Sequence, residues 1–183
     1  MTNGFQTTPA LPFSPLCAEA NVSGCTYLNV STEPLSTQAA LEFVADEAHG
    51  AAALFVGSVR NHNLGKPVRG VSYDVFDELT LETFKGLAQE ARQTWGEKLN
   101  LYIEHFKGRL DIGGLSILIA VSSPHRDESF KVCRFIIEEI KHRAPIWKQE
   151  HYVEGDSEWV QGHALCAHGR FVNDENESAH ACR

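Results

Sequence analysis

Apolar residues recur along this chain in two rhythms, one of period two and one near 3.6. Tyr27-Leu28-Asn29-Val30 alternates as a short strand. Ser36 suits a helix cap, and Leu41, Val44 and Ala45 then share one face of a helix expected to reach about Ala48, where Gly50 stops it. Ala51 to Val59 is a nearly unbroken apolar run with β-branched and aromatic members, the pattern of a buried strand. Asn61 to Pro67 has the composition of a loop, and Val71 to Phe76 alternates as a strand. Leu81, Phe84, Leu87, Ala88 and Ala91 stand at helical spacing between Thr80 and Trp95, ahead of Gly96. Leu99 to Phe106 and Leu115 to Val121 read as strands. Phe130, Cys133, Ile136, Ile137 and Ile140 form a second long helical stripe, which closes near Arg143 because Pro145 cannot continue it. Ile146 to Val153 reads as extended chain. Strands and helices mix without strict β-α-β order, which predicts the α+β class, a sheet layered with helices.

The two ends lack either rhythm. Residues 1–24 are rich in Thr, Pro, Ser and Gly and are expected to form a flexible arm. Residues 162–183 are rich in Ala, His and Asn and are expected to form a loose tail, leaving 25–161 as the compact domain. A chain of 183 residues that is 43% apolar suits one such domain. The net charge of −8 argues against a general nucleic-acid binder but leaves room for a local basic pocket. No apolar run is long enough for a membrane-spanning helix, and Met1 to Ala20 holds no Lys or Arg and is broken by Pro9, Pro12 and Pro15, unlike a signal peptide. Cys17, Cys25, Cys133, Cys166 and Cys182 follow no framework spacing, so a reduced, cytoplasmic protein is expected.

Three segments hold more cationic detail than a core needs. In Gly57-Ser58-Val59-Arg60-Asn61-His62-Asn63 a buried strand gives way to a loop; the Arg60 fork can grip a phosphate or carboxylate, and His62, Lys66 and Arg69 follow. A plain solvated basic loop would look the same. A phosphate-binding P-loop is excluded, because Pro67 stands where Ser or Thr is required. In Ser122-Ser123-Pro124-His125-Arg126-Asp127 a strand meets a helix, with Ser123 or Asp127 as cap. His125 and Arg126 at a helix N-terminus make an anion seat, or simply an exposed pair beside an ordinary cap. In Lys141-His142-Arg143-Ala144-Pro145-Ile146-Trp147-Lys148-Gln149-Glu150 a reversal at Pro145 can bring Lys141 and Lys148 to one site, where a lysine can serve as acid, base or nucleophile. Dipole complementarity at a helix C-terminus also accounts for Lys141, His142 and Arg143. Cys166-x-His168 and His180-x-Cys182 lack the usual zinc spacing, so no metal is expected. His105 and His151 fall within strand patterns and are expected to be structural.

These segments in this order resemble the MoaE family, the large subunit of molybdopterin synthase. The matching residues run from Gly50-Ala51 through Phe55-Val56-Gly57-Ser58-Val59-Arg60-Asn61-His62-Asn63-Leu64-Gly65 to Glu90-Ala91-Arg92-Gln93-Thr94-Trp95 and His105 to Gly108. Val121 to Arg126 and Lys141 to Glu150 match most strongly, and the likeness covers about 25–161. The resemblance implies an α/β hammerhead fold with an added small antiparallel β subdomain. It implies a homodimer at the core of a heterotetramer, with a small MoaD-like carrier docked at each end. The reaction it implies is sulfur transfer from the carrier's C-terminal Gly-Gly thiocarboxylate to cyclic pyranopterin monophosphate, building the dithiolene of molybdopterin without a cofactor in this subunit. Lys141, Lys148 and Arg60 match catalytic positions. Phe55, Ser58, Val59, His125, Arg126, Gln149 and Glu150 match the substrate pocket beside them. Pro124 replaces the family's usual Ala, and His163 stands where many members carry a basic residue. A scaffold that binds the carrier without catalysis, and a phosphate-dependent acyltransferase or lyase that needs no carrier, are the rival functions.

Overall fold

The computed structural model describes residues 24–155 and 157–160. The expected arm apart from Gly24, and the expected tail with His163, Cys166, His168, His180 and Cys182, lie outside the described residues. The elements are β1 (Thr26–Ser31), α1 (Thr37–Val44), β2 (Ala51–Ser58), β3 (His62–Asn63), β4 (Lys66–Val75), α2 (Asp77–Trp95), β5 (Asn100–Phe106), β6 (Gly108–Asp111), β7 (Leu115–Ser123), α3 (Arg126–Arg143), β8 (Ile146–Tyr152) and β9 (Glu158–Val160).

The first sheet has the order β1-β5-β7-β2. β1 runs parallel to β5, and the other pairs are antiparallel. On one face α2 and α3 bury Phe84, Leu87, Ala91, Val132, Ile136 and Ile140 against Leu101, Ile103, Ile119 and Val121. On the other face α1 packs Ala40 and Val44 against Tyr102, Leu118 and Ala120. Both faces of β5 and β7 are therefore covered, which is why β5 is buried throughout and β7 at every position after Leu115. The second sheet is antiparallel, β3-β4-β8-β9, with β6 along the remaining edge of β4. Val59, Val68, Val71 and Tyr152 form a small core beneath it. This is the α+β arrangement the sequence implies, although the added subdomain has as many as five strands.

Four local differences from the sequence expectations have identifiable causes. Helix α1 stops at Val44, four residues early. The Val44 carbonyl accepts from the Ser122 hydroxyl and from Asn100 Nδ2, and Asp46 Oδ1 accepts from the Ala48 N–H in a turn that replaces another helical turn. The segment 61–67 is a hairpin, not a loop. Leu64 (φ 47°) and Gly65 (φ 77°) make a two-residue turn with both central residues left-handed, and β4 starts at Lys66. β6 went unread because in Gly108–Asp111 only Leu110 packs inward, against the small core. Finally, neither Ser123 nor Asp127 caps α3. His125 occupies the cap position without a side-chain bond, while Ser123 Oγ donates to the His125 carbonyl at 2.6 Å and pairs with Ser129 Oγ.

Gly24, assigned by composition to the arm, belongs to the folded body. Its N–H donates to the Glu97 carbonyl at 2.8 Å. A Cβ there would fall on the Leu99 carbonyl, so glycine is required by close backbone approach rather than by a turn. The half-buried Arg92 guanidinium completes the anchor, with Nη2 donating to the carbonyls of Gly24, Cys25 and Leu99 and to Thr26 Oγ1.

Candidate functional site

The site is built around β8. Alternation along this strand puts Lys148, Glu150 and Tyr152 on one face and Trp147, Gln149 and His151 on the other. Glu150 is 3% exposed. Its Oε1 accepts from Lys148 Nζ at 2.8 Å, and its Oε2 accepts from Asn63 Nδ2 at 2.7 Å and from the Tyr152 hydroxyl at 2.8 Å. Burial pushes this carboxyl up, but the hydrogen bonds from Lys148, Tyr152 and Asn63 and the charge of Lys148 together outweigh it, so it lies below the ordinary glutamate value. Lys148 is therefore held by an acid. The sequence had suggested it would be set against a second cation.

Across the sheet, Tyr73 pairs in register with Lys148. The Tyr73 ring meets His105 edge to face at 5.1 Å between centroids. Burial raises the Tyr73 phenol, the Ser116 hydrogen bond opposes that, and the Glu150 charge adds to the rise. His105 Nδ1–H donates to the Phe106 carbonyl at 2.8 Å, and burial pulls its imidazole down to about 4 against that bond. It stays neutral at physiological pH, in keeping with a structural role. His151, on the opposite face, shares hydrogen bonds with Ser72 Oγ and Ser157 Oγ.

β2 delivers the next group. Its pairing with β7 shifts between Gly57 and Ser58, and exposed Arg60 leaves the strand just beyond. Val59 does not meet the expectation of a substrate contact. Its side chain is 4% exposed in the small core, its N–H donates to the Gly114 carbonyl, and its carbonyl accepts from the Gly113 N–H. Val59 packs in the same small core as Tyr152, and Arg60 follows it in the chain. Phe55 packs against the main core, one alternation behind Gly57. Gln149 is on the face of β8 away from Lys148, so these two cannot serve one pocket by the same face.

α3 supplies cations at both ends. His125 and Arg126 are exposed at its start, and Lys141 is exposed in its last turn. Fifteen residues separate Arg126 from Lys141, about 22 Å along the axis at ~1.5 Å per residue. One copy of the chain cannot put both on the same small substrate. The last turn is fastened to α2 by Arg143, whose two terminal nitrogens donate to the two Glu90 oxygens at 2.8 and 2.7 Å. Ala144 is extended, and Pro145 leads the chain from α3 into β8.

The ion pairs divide the cations into two groups. Lys107, Lys131, Arg134 and Arg143 each meet an acid on the surface. Arg60, Arg126 and Lys141, like Arg69, Lys98 and Arg109 outside the motifs' catalytic positions, have no acidic partner among the described residues, in a chain whose net charge is −8. Such positions are open to an anionic ligand.

A model of the MoaE protein family matches residues 30–143. The chain belongs to the MoaE family. A molybdopterin synthase catalytic subunit of Synechococcus elongatus is 45% identical over 143 residues, 78% of this chain and 87% of that protein. Among solved structures, molybdopterin synthase from Staphylococcus aureus superposes with a TM-score of 0.70 at 31% identity, covering 73% of this chain and 96% of that one. A complex of subunits 1 and 2 of molybdopterin-converting factor from Helicobacter pylori gives 0.54 at 26% identity, covering 70% and 88%. The family match takes in Arg60, His125, Arg126 and Lys141 and stops short of Lys148 and Glu150. In this MoaE chain the site also includes Asn63, Tyr73 and Tyr152, which the sequence reading did not assign. Asn63 lay within a matching motif, but its bond to Glu150 spans 87 residues and left no local signal.

Proposed function

We propose that this chain is the sulfur-transferring subunit of a molybdopterin synthase. It takes sulfur from the thiocarboxylated C-terminal Gly-Gly of a small MoaD-like carrier and places it on cyclic pyranopterin monophosphate, twice per dithiolene. The observation that carries this reading is the largely buried Lys148–Glu150 pair in a chain whose motif cations Arg60, Lys141 and Arg126 are exposed without acidic partners among the described residues. Both the substrate phosphate and the carrier tail are anions, and an acidic protein holds them only where cations are concentrated.

In this reading Lys141, exposed and unencumbered, moves protons at the reacting carbon or transiently takes the acyl group. Lys148 and Arg60 balance the negative charge that develops as the thiocarboxylate gives up its sulfur. Phe55 and Ser58 line the approach, and His125 with Arg126 seats the phosphate. The ~22 Å between the two ends of α3 makes that last assignment depend on a second copy, whose α3 start lies beside the Lys141 of the first. The homodimer implied by the resemblance supplies such a copy. A cytoplasmic location fits this biosynthetic role, and among the described residues no helix is long and apolar enough to cross a membrane.

The test is reconstitution of the protein with thiocarboxylated carrier and cyclic pyranopterin monophosphate, followed by assay for the dithiolene. Product should appear only when all three are present. Turnover without the carrier would instead favour an acyltransferase or lyase, and carrier binding without product would favour a scaffold.

A further inference from the structure

The hairpin of β3 and β4 is a slight structure with a strong attachment. β3 has two residues, and Leu64 at the turn is 91% exposed. Backbone pairing this short gives little stability on its own. β4 is in ladder with β8 from Val68 onward, but the turn end of the hairpin is tied to β8 through side chains. Asn63 Nδ2 donates to Glu150 Oε2, and Lys66 Nζ stands 5.1 Å from the centroid of the Tyr152 ring. The first of these ends on the carboxylate whose other oxygen holds Lys148.

The geometry decides what this bond does. The terminal torsion of a glutamate is broad, so a carboxylate held by one oxygen can rotate and carry its partner with it. Glu150 has Tyr152 and Asn63 on Oε2 and Lys148 on Oε1, so both oxygens are fixed. Tyr152 comes from the same strand as Glu150, whereas Asn63 comes from a different element and fixes the carboxylate against the rest of the sheet. A lysine has four rotatable side-chain bonds, and it is held in one place only when its partner is.

We propose that Asn63 is a positioning residue for sulfur transfer: its amide locks the Glu150 carboxylate, which in turn sets the Lys148 ammonium at the reacting site and makes the hairpin and Lys148 one mechanical unit. The proposal rests on the reading of Lys148 given above. Asparagine suits the place because it offers a donor at this reach. Aspartate would set a second carboxylate against Glu150, and alanine would leave Oε2 to Tyr152 alone.

The test reads Lys148 directly as well as through turnover. Full-length wild type, Asn63→Ala, Asn63→Asp and Asn63→Gln are treated with a limiting amine-acylating reagent, and Lys148 and Lys141 labelling is followed by peptide mass mapping. In Asn63→Ala, Lys148 labelling should rise several-fold while Lys141 labelling is unchanged. In the reconstituted reaction kcat should fall about tenfold, in line with the cost of a misplaced reacting group, with KM for carrier and pyranopterin little changed. Asn63→Asp should lose more than Asn63→Ala, and Asn63→Gln less. The extra loss in Asn63→Asp should vanish in a Glu150→Gln background, where an amide faces the new carboxylate. Unchanged Lys148 labelling in Asn63→Ala, or a kcat loss that follows the thermal midpoint and ignores the Asp, Ala, Gln order, would overturn the proposal. A wild-type protein that labels as expected but makes no dithiolene would refute the functional reading, while the labelling still decides whether Asn63 holds Lys148.

Discussion

Lys141 and His105 show two ways a polar side chain is used in this molecule. Lys141 sits exposed at a helix end, where truncation removes little packing, so its loss should be felt in chemistry alone. Lys141→Ala should nearly abolish dithiolene formation while circular dichroism and thermal midpoint stay near wild type; near-normal turnover by the folded variant would remove Lys141 from the mechanism. His105 is the opposite case, 5% exposed and neutral, with its imidazole pulled down to about 4 by burial. The unfolded chain takes up a proton here near the ordinary value of about 6.5, and the folded chain does not until about 4. Stability is therefore complete above pH ~6.5 and falls as the pH drops toward 4, by about 2 kcal/mol at pH 5 from this one group. His105→Phe should flatten that part of the profile. Urea unfolding of both proteins at pH 7.5 and pH 5 gives the comparison, and parallel losses would show that other groups carry the dependence.

At the scale of elements, boundaries are set by side chains from elsewhere in the chain. α1 stops where Asn100 and Ser122 claim the Val44 carbonyl, and β1 is held by Arg92 and by the fit of Gly24 under Leu99. Gly24→Ala should force the start of β1 away from β5 at a cost of about 1–3 kcal/mol. Deletion of residues 1–22, by contrast, leaves this anchor intact and should shift the midpoint little. A thermal scan of the two proteins side by side separates them, and equal midpoints would mean that the Gly24 contact yields without strain. Much at this scale was legible in the sequence. The long helices announced themselves by stripes such as Phe84, Leu87, Ala88 and Ala91, because each buries one face against one sheet. The β3–β4 hairpin did not, since its turn uses Leu64 in a left-handed conformation that leucine rarely adopts.

For the whole molecule, the distance along α3 matters most. A site that needs both the Arg126 end and the Lys141 end must draw on two chains. Lys141→Ala and Arg126→Ala homodimers should each be nearly inactive. When the two are unfolded together and refolded, half the dimers are mixed, and each mixed dimer regains one intact site. About a quarter of wild-type activity should return at a two-fold interface. No recovery, with mixed dimers verified by mass spectrometry, would place both residues in sites that a single chain completes.

The α+β class, the long helices and most of the strands are legible along the chain, because periodicity follows from which face each element buries. The sequence also singled out Arg60, Lys141 and Lys148 as candidates, because motif spacing survives as a linear pattern. What those residues meet is set in three dimensions. That Asn63 reaches across to the Glu150 that holds Lys148, that this face of β8 is the buried one, and that Val59 is core depend on how distant segments meet. A one-residue slip of β8 against β4 would turn Lys148, Glu150 and Tyr152 to the other face and break the bond from Asn63, and no local run of residues records that register.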